Sequence, residues 1–399
     1  MTMPCPRGLF RLLATLPLVL AIAACSWLST PMEWLTGPAD PNPPSPPPVF
    51  QPSITITNVW SARVGSGTGK QWLRLMPALD AEQVYAASFD GTVQARRLSD
   101  GSLIWEVRTG LPITGGPGAG EGLVVVGTAK AEVVALEAIS GQERWRASLS
   151  GPVLSVPKIQ DGRVVVQASD NTLYGFDARD GSRQWLYSVP LPVLTVRGSG
   201  APVIIAGHVL AGFAGGKLSL LTLKEGIPRW ETTVSPPSGR SELERIVDPS
   251  AEPVTIGEVA FVPMYQGELT AVALRSGEVI WRRKISSFAG LAVSTRGLFV
   301  TDSDDRLWAL DLRTGAALWK QEKLLHRRLS APALLDNALV VGDLEGYVHW
   351  LSAEDGGLLA RASVGHGPIA AQPQPAKDRV VVLGQDGALA VLAPGGGSR

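Results

Sequence analysis

From residue 53 onward the apolar positions come in short runs rather than in a helical repeat. A β-branched run such as Leu-Val-Val-Val (123–126) or Arg-Val-Val-Val (163–166) comes first. A polar or glycine turn follows, then a second apolar run such as Glu-Val-Val-Ala-Leu (132–136) or Arg-Leu-Trp-Ala-Leu (306–310). Apolar runs of this length, punctuated by Gly and Asp about every 8–12 residues, predict strands throughout.

A fixed element closes each unit. Gly101 leads to Trp105 by a Gly-x-x-x-Trp spacing that recurs at Gly141–Trp145, Gly181–Trp185, Gly226–Trp230, Gly277–Trp281 and Gly315–Trp319. A further copy, Gly356, ends in Ala360. The glycine predicts a tight hairpin, where a positive φ is needed. Ala95, Ala135, Gly175, Ala271 and Ala309 all stand at one offset before it, and small residues in strands mark a close approach by a neighbour. The tryptophan supplies the complementary bulk, a wedge between packed elements.

The motif returns roughly every 40 residues, the length of a four-stranded propeller blade. The two ends explain each other. After Ala360 the chain has three apolar runs and no tryptophan run, whereas Trp60 sits in a run that precedes the first full unit. Joining them completes a last blade and removes a bare sheet edge. The expected fold is all-β: an eight-bladed β-propeller of four-stranded antiparallel blades over residues 53–396, its ring closed by the N-terminal strand.

The residues before the propeller read differently. Arg7 and Arg11 precede an apolar run that reaches Cys25, too short for a bilayer span and laid out as a secretory signal over 1–24. Ile-Ala-Ala-Cys (22–25) resembles a bacterial lipobox, which implies lipidation of Cys25 as the mature N-terminus. Ser26 is not the aspartate of an inner-membrane retention signal, so delivery to the outer membrane is implied. Cys5 would leave with the signal, and no disulfide is then expected in the mature chain. Residues 25–52 form the lipidated N-terminus and a tether. Its proline-rich part, 38–52, favours an extended path of about 3.1 Å per residue, a reach on the order of 45 Å.

Charge narrows the partners. The 36 basic and 36 acidic residues cancel, so nothing here forms an electrostatic footprint for nucleic acid. The four histidines, His208, His326, His349 and His366, have no partners at ligand spacing, and Asp304-Asp305 and Glu354-Asp355 fall in predicted turns. No nucleophile is assembled with a base, and no phosphate or calcium loop appears. The expectation is a binding protein, not an enzyme, with no catalytic residues, no cofactor and no metal.

The tryptophan-ending unit resembles the repeat of quinoprotein alcohol dehydrogenases, which bind pyrroloquinoline quinone and calcium at the ring centre. Those enzymes resemble one another in a vicinal disulfide, and this chain has no adjacent cysteines. A closer resemblance lies in residues 324–356, "LLHRRLSAPALLDNALVVGDLEGYVHWLSAEDG", in "LPVLTVRGSGAP" (191–202) and in "SELERIVDPSAEPV" (241–254). These are similar to the BamB family, propeller lipoproteins of the machinery that inserts β-barrels into the bacterial outer membrane. The resemblance runs from about Trp60 to the C-terminus. It implies a scaffold anchored at the periplasmic face of the outer membrane, with BamA as partner through a POTRA domain, and unfolded β-barrel substrates as further candidates. It also implies that Leu194, Val196 and Arg197 of the first loop and Asp248 of the second contact that partner. Ser250 stands where the family has a second acid. The competing readings are a periplasmic peptide- or glycan-binding propeller and, more remotely, a quinone-dependent dehydrogenase.

Read without the family, the same two segments stand out as insertions, because they lengthen the Trp185–Trp230 and Trp230–Trp281 spacings. Both lie between a tryptophan strand and the next unit, so both should emerge on one face. Long loops on a rigid scaffold are where function concentrates.

Overall fold

The computed structural model describes residues 41–196, 198 and 200–395. Cys25, the signal and most of the expected tether therefore lie outside the described residues. Among those described, no helix occurs, and the strands form eight four-stranded antiparallel sheets. Seven sheets use consecutive strands: blade 1 spans 78–108, blade 2 113–148, blade 3 158–188 and blade 4 203–233. Blades 5, 6 and 7 span 254–283, 290–321 and 333–363. Blade 8 combines Gln374–Ala376, Arg379–Leu383 and Ala388–Pro394 with the N-terminal strand Ile56–Arg63. That strand pairs antiparallel with Ala388–Pro394, from Ile56 opposite Pro394 to Arg63 opposite Ala388. The ring is closed as the chain ends required.

The repeating motif holds neighbouring blades together. Each motif tryptophan donates its indole N–H to a backbone carbonyl of the next blade: Trp105 to Ala138 at 2.8 Å, Trp145 to Ala178 at 3.0 Å and Trp185 to Leu223 at 2.9 Å. Trp60 closes the circle by donating to Leu98 of blade 1 at 2.8 Å. The motif glycine of the next blade lies under the same ring. A Cβ on Gly181, whose φ is 72°, would stand 2.6 Å from Trp145 Cδ2. The small residues before the glycine have the other half of the task, for they face the tryptophan across the sheet. Ala95 is paired with Trp105, Ala135 with Trp145 and Gly175 with Trp185.

Blade 7 inverts this pair. Trp350, fully buried, sits opposite Ala360, so the bulk has moved one strand inward. The reason lies in the closure. Blade 8 makes its outer pair from the two ends of the chain and has no hairpin glycine to receive an indole. Ile54 and Ile56 of the incoming N-terminal segment pack against the cluster holding Ala360 instead.

That segment corrects the picture of a free proline-rich tether up to residue 52. Ser45 donates its amide to Leu325 O at 3.0 Å, and Ser53 donates to Leu359 O at 2.8 Å. Arg361 Nη1 reaches Pro48 O at 3.3 Å. The fully buried Arg327 donates to Ser45 O at 2.7 Å through Nη1 while its Nε meets the Asp343 carboxylate at 2.9 Å. Asp343 also meets His349 Nε2 at 2.9 Å. Burial opposes ionisation of Asp343, yet the His349 and Arg327 contacts hold its carboxyl below the ordinary range. His349, isolated in sequence, thus belongs to a buried charge network that anchors residues 45–53 to blade 7.

Candidate functional site

The first long loop joins the outer strand of blade 3, Arg183–Ser188, to the inner strand of blade 4, Val203–Ile205. The second joins Pro228–Thr233 of blade 4 to Val254–Ile256 of blade 5. Connections of this kind leave the ring on the same side as the turns between the second and third strands of each blade. The turn of blade 4, 214–216, is where the loops converge. Gly215 and Gly216, with φ of 86° and 73°, both donate their amides to Val247 O, at 2.8 and 3.1 Å. A Cβ on Gly216 would stand 1.8 Å from Ser235 O, so only glycine admits the second loop. A Cβ on Gly215 would touch Pro192 of the first loop at 3.3 Å.

Further contacts tie loop to loop. Asp248 Oδ2 accepts the Val196 amide at 2.5 Å, and Gly200 donates to Pro249 O at 3.3 Å. Asn171, from the blade 3 turn, accepts the Ala214 amide at 3.0 Å and donates to Pro190 O at 3.5 Å. The second loop is pinned to blade 5 by a backbone bridge in which Tyr265 donates to Asp248 O at 2.9 Å. Together these bonds make two insertions into one braced surface.

The predicted residues divide accordingly. Leu194 is 40% exposed and stands beside the more exposed Val193, at 89%, and Leu191. Val196 is half-buried, with its amide committed to Asp248. Asp248 is 1% exposed. Burial raises its pKa, opposed by the backbone amides around it. Its carboxylate faces the first loop, not the solvent, and so places that loop. Arg197 lies outside the described residues. Ser250 is fully buried, with Oγ donating to Ser287 O at 2.8 Å, so an acid at this position would be desolvated.

Sequence reasoning passed over Asn171, Gly215 and Gly216. The Gly-Gly pair was legible as a turn, but nothing local to it names Val247 as its partner. On the second loop Leu243 is 67% exposed, on a turn held by Glu244, which accepts the Arg240 amide at 2.6 Å. Among the described residues, no group of three or more His, Cys, Asp or Glu is placed to hold a metal ion.

Comparison with known proteins gives the architecture a family. A family model for outer membrane protein assembly factor BamB matches residues 89–321. The outer membrane protein assembly factor BamB of Pseudomonas aeruginosa is 43% identical over 376 residues, covering 94% of this chain and 97% of its own. The crystal structure of BamB from Moraxella catarrhalis superposes with a TM-score of 0.78 at 27% identity, covering 85% of this chain and all of that one. The quinohemoprotein alcohol dehydrogenase of Comamonas testosteroni shares the fold, with a TM-score of 0.70 at 14% identity, over 86% of this chain and 77% of that one. A family model spanning more than half of the chain and a relative aligned over nearly its whole length place it: this chain belongs to the BamB family of outer membrane protein assembly factors.

Proposed function

We propose that the chain is a non-catalytic scaffold of the outer-membrane β-barrel assembly machinery, docking a POTRA domain of BamA on the face that carries the two long loops. The observation that supports this reading is the braced loop pair. Leu191, Val193 and Leu194 are held out to solvent on a surface whose backbone is fixed by Asp248, Val247 and Asn171. Apolar anchors on a preorganised backbone are what a docking face needs, because little ordering entropy is then lost on binding. Arg197 would add charge-assisted hydrogen bonds that set register. Asp248 acts one step back, by placing Val196 and its neighbours.

Binding of purified variants to the BamA POTRA domains separates these roles. Leu194→Ala and Arg197→Ala should each weaken binding by about 2 kcal/mol, some thirtyfold, with unchanged melting. Asp248→Ala should instead lower the melting temperature together with affinity, since the Val196 amide loses its acceptor and the first loop its tie to the second. Full binding by both Leu194→Ala and Arg197→Ala would move the interface elsewhere on the ring.

The same reading anchors the protein through lipid on Cys25 at the periplasmic face of the outer membrane. More than one acyl chain exceeds the threshold for stable anchoring. Among the described residues no helix is long and apolar enough to cross a membrane. Cys25→Ala should therefore shift the protein to the soluble or uncleaved fraction. Its firm retention in the outer membrane after fractionation would count against lipid anchoring.

A further inference from the structure

Among the described residues, the ring axis holds an arginine without an ion-pair partner. Arg74, on the segment leading into blade 1, reaches across the ring to the connections around blade 5. Both of its hydrogen bonds among the described residues leave from Nη1, to Ser250 O at 3.0 Å and Ala289 O at 3.3 Å. The guanidinium lies over the Phe288 ring, 4.1 Å from its centroid. No described carboxylate is within ion-pairing distance of it, and the Nε and Nη2 donors remain uncommitted there.

Arg74 lines two cavities. One, of about 210 Å³, is the central channel; the other, of about 340 Å³, opens at the channel mouth on the face of the long loops. The mouth has a second arginine and an apolar wall. Arg328 is exposed, its guanidinium 5.3 Å from the Trp72 ring centroid, and Trp72 is itself 44% exposed beside Leu329. The two acids of the mouth are engaged by backbone amides and an indole. Asp302 accepts the Asp304 and Arg306 amides at 2.9 Å and the Trp308 indole at 2.8 Å. Asp305 accepts the Arg328 and Leu329 amides, both at 2.7 Å. Neither acid forms an ion pair with Arg74, and Asp302 lies 3.6 Å from Arg306 Nη1.

We propose that the channel mouth is a binding site for an apolar carboxylate. Its two oxygens accept from Nε and Nη2 of Arg74, and its apolar part lies against Trp72 and Leu329. The chemistry follows from the donors. A planar guanidinium with one edge committed to backbone presents its other edge as a fork, which a carboxylate meets bidentately and a neutral amide does not. The backbone carbonyls and Phe288 fix that fork in place before any ligand arrives. Burial lowers the Arg74 pKa to about 10, which leaves it cationic at neutral pH. The carboxylate has two possible sources, the free end of a polypeptide or a small organic acid. This site lies on the axis and does not depend on what docks at the loops.

Calorimetric titration of the intact protein tests it with acetyl-Ala-Ala-Leu as the free acid, the same peptide as its C-terminal amide, and N-acetyl-leucine. The free acid should bind at least about tenfold more tightly than the amide, the difference expected for a charge-assisted pair. Arg74→Gln should abolish the preference, and Arg74→Lys, which keeps the charge without the fork, should recover only part of it. Tighter binding of the tripeptide than of N-acetyl-leucine identifies a chain end as the ligand; equal binding identifies a small acid. If Arg74→Gln does not fold, the acid–amide comparison on the unaltered protein and Trp72→Ala at the exposed wall still decide. Equal binding of acid and amide, or no saturable binding of either, overturns the proposal.

Discussion

Deleting residues 53–64 should abolish cooperative unfolding and leave a protein that aggregates. The deletion removes the strand Ile56–Arg63 and with it the whole ladder to Ala388–Pro394. It also removes Trp60, buried between blades 8 and 1, whose indole bond to Leu98 joins the last blade to the first. Losing that side chain alone costs about 3–5 kcal/mol. A domain's net stability is only about 5–15 kcal/mol, so little would remain once the ladder is gone as well. The strand Ala388–Pro394 would become an unprotected edge and a template for pairing with other chains. Urea unfolding followed by tryptophan fluorescence, with light scattering alongside, reads both effects. A truncated protein with the parent's midpoint and slope would show that the ring does not depend on this latch.

The second large effect is expected between blades. Trp145→Ala should cost about 3–5 kcal/mol, because it empties a packed site and leaves the Ala178 carbonyl without its donor. Gly181→Ala should also destabilise strongly, for two reasons that can be separated. The residue has a positive φ, and its new Cβ would stand 2.6 Å from the Trp145 ring. Removing the indole relieves the clash but not the backbone strain. The double variant Trp145→Ala, Gly181→Ala should therefore be less destabilised than the two single losses added together. Additive losses by chemical denaturation would mean that the indole and the glycine are not one interblade contact.

The inverted pair in blade 7 bears on how the repeat is read. Taken as a degenerate copy, Ala360 looks like a lost tryptophan. In the structure it is the small half of a pair whose large half is Trp350, and Ile54 and Ile56 pack where a next-blade hairpin is missing. The departure marks the point of closure.

Blade number, strand order and closure were legible in the sequence because each depends on local spacing. Alternating apolar runs set strands, a glycine of positive φ sets a hairpin, and a tryptophan at fixed offset repeats once per blade. The two long loops were legible for the same reason, as added length between units whose ends are fixed. What the tertiary structure alone decided are contacts between residues far apart in the chain. Asp248, which the family resemblance implies is a partner contact, is buried, because the first loop folds over it and gives it the Val196 amide. His349 looked isolated and proved part of the network through which Arg327 holds Ser45. Residues 45–52 have the composition of a free polyproline spacer, yet Ser45 is bonded to the connection between blades 6 and 7 and Pro48 to Arg361 of blade 7, contacts that composition does not reveal. A side chain's type is written locally; whether it faces water or a neighbour is settled only when distant segments pack.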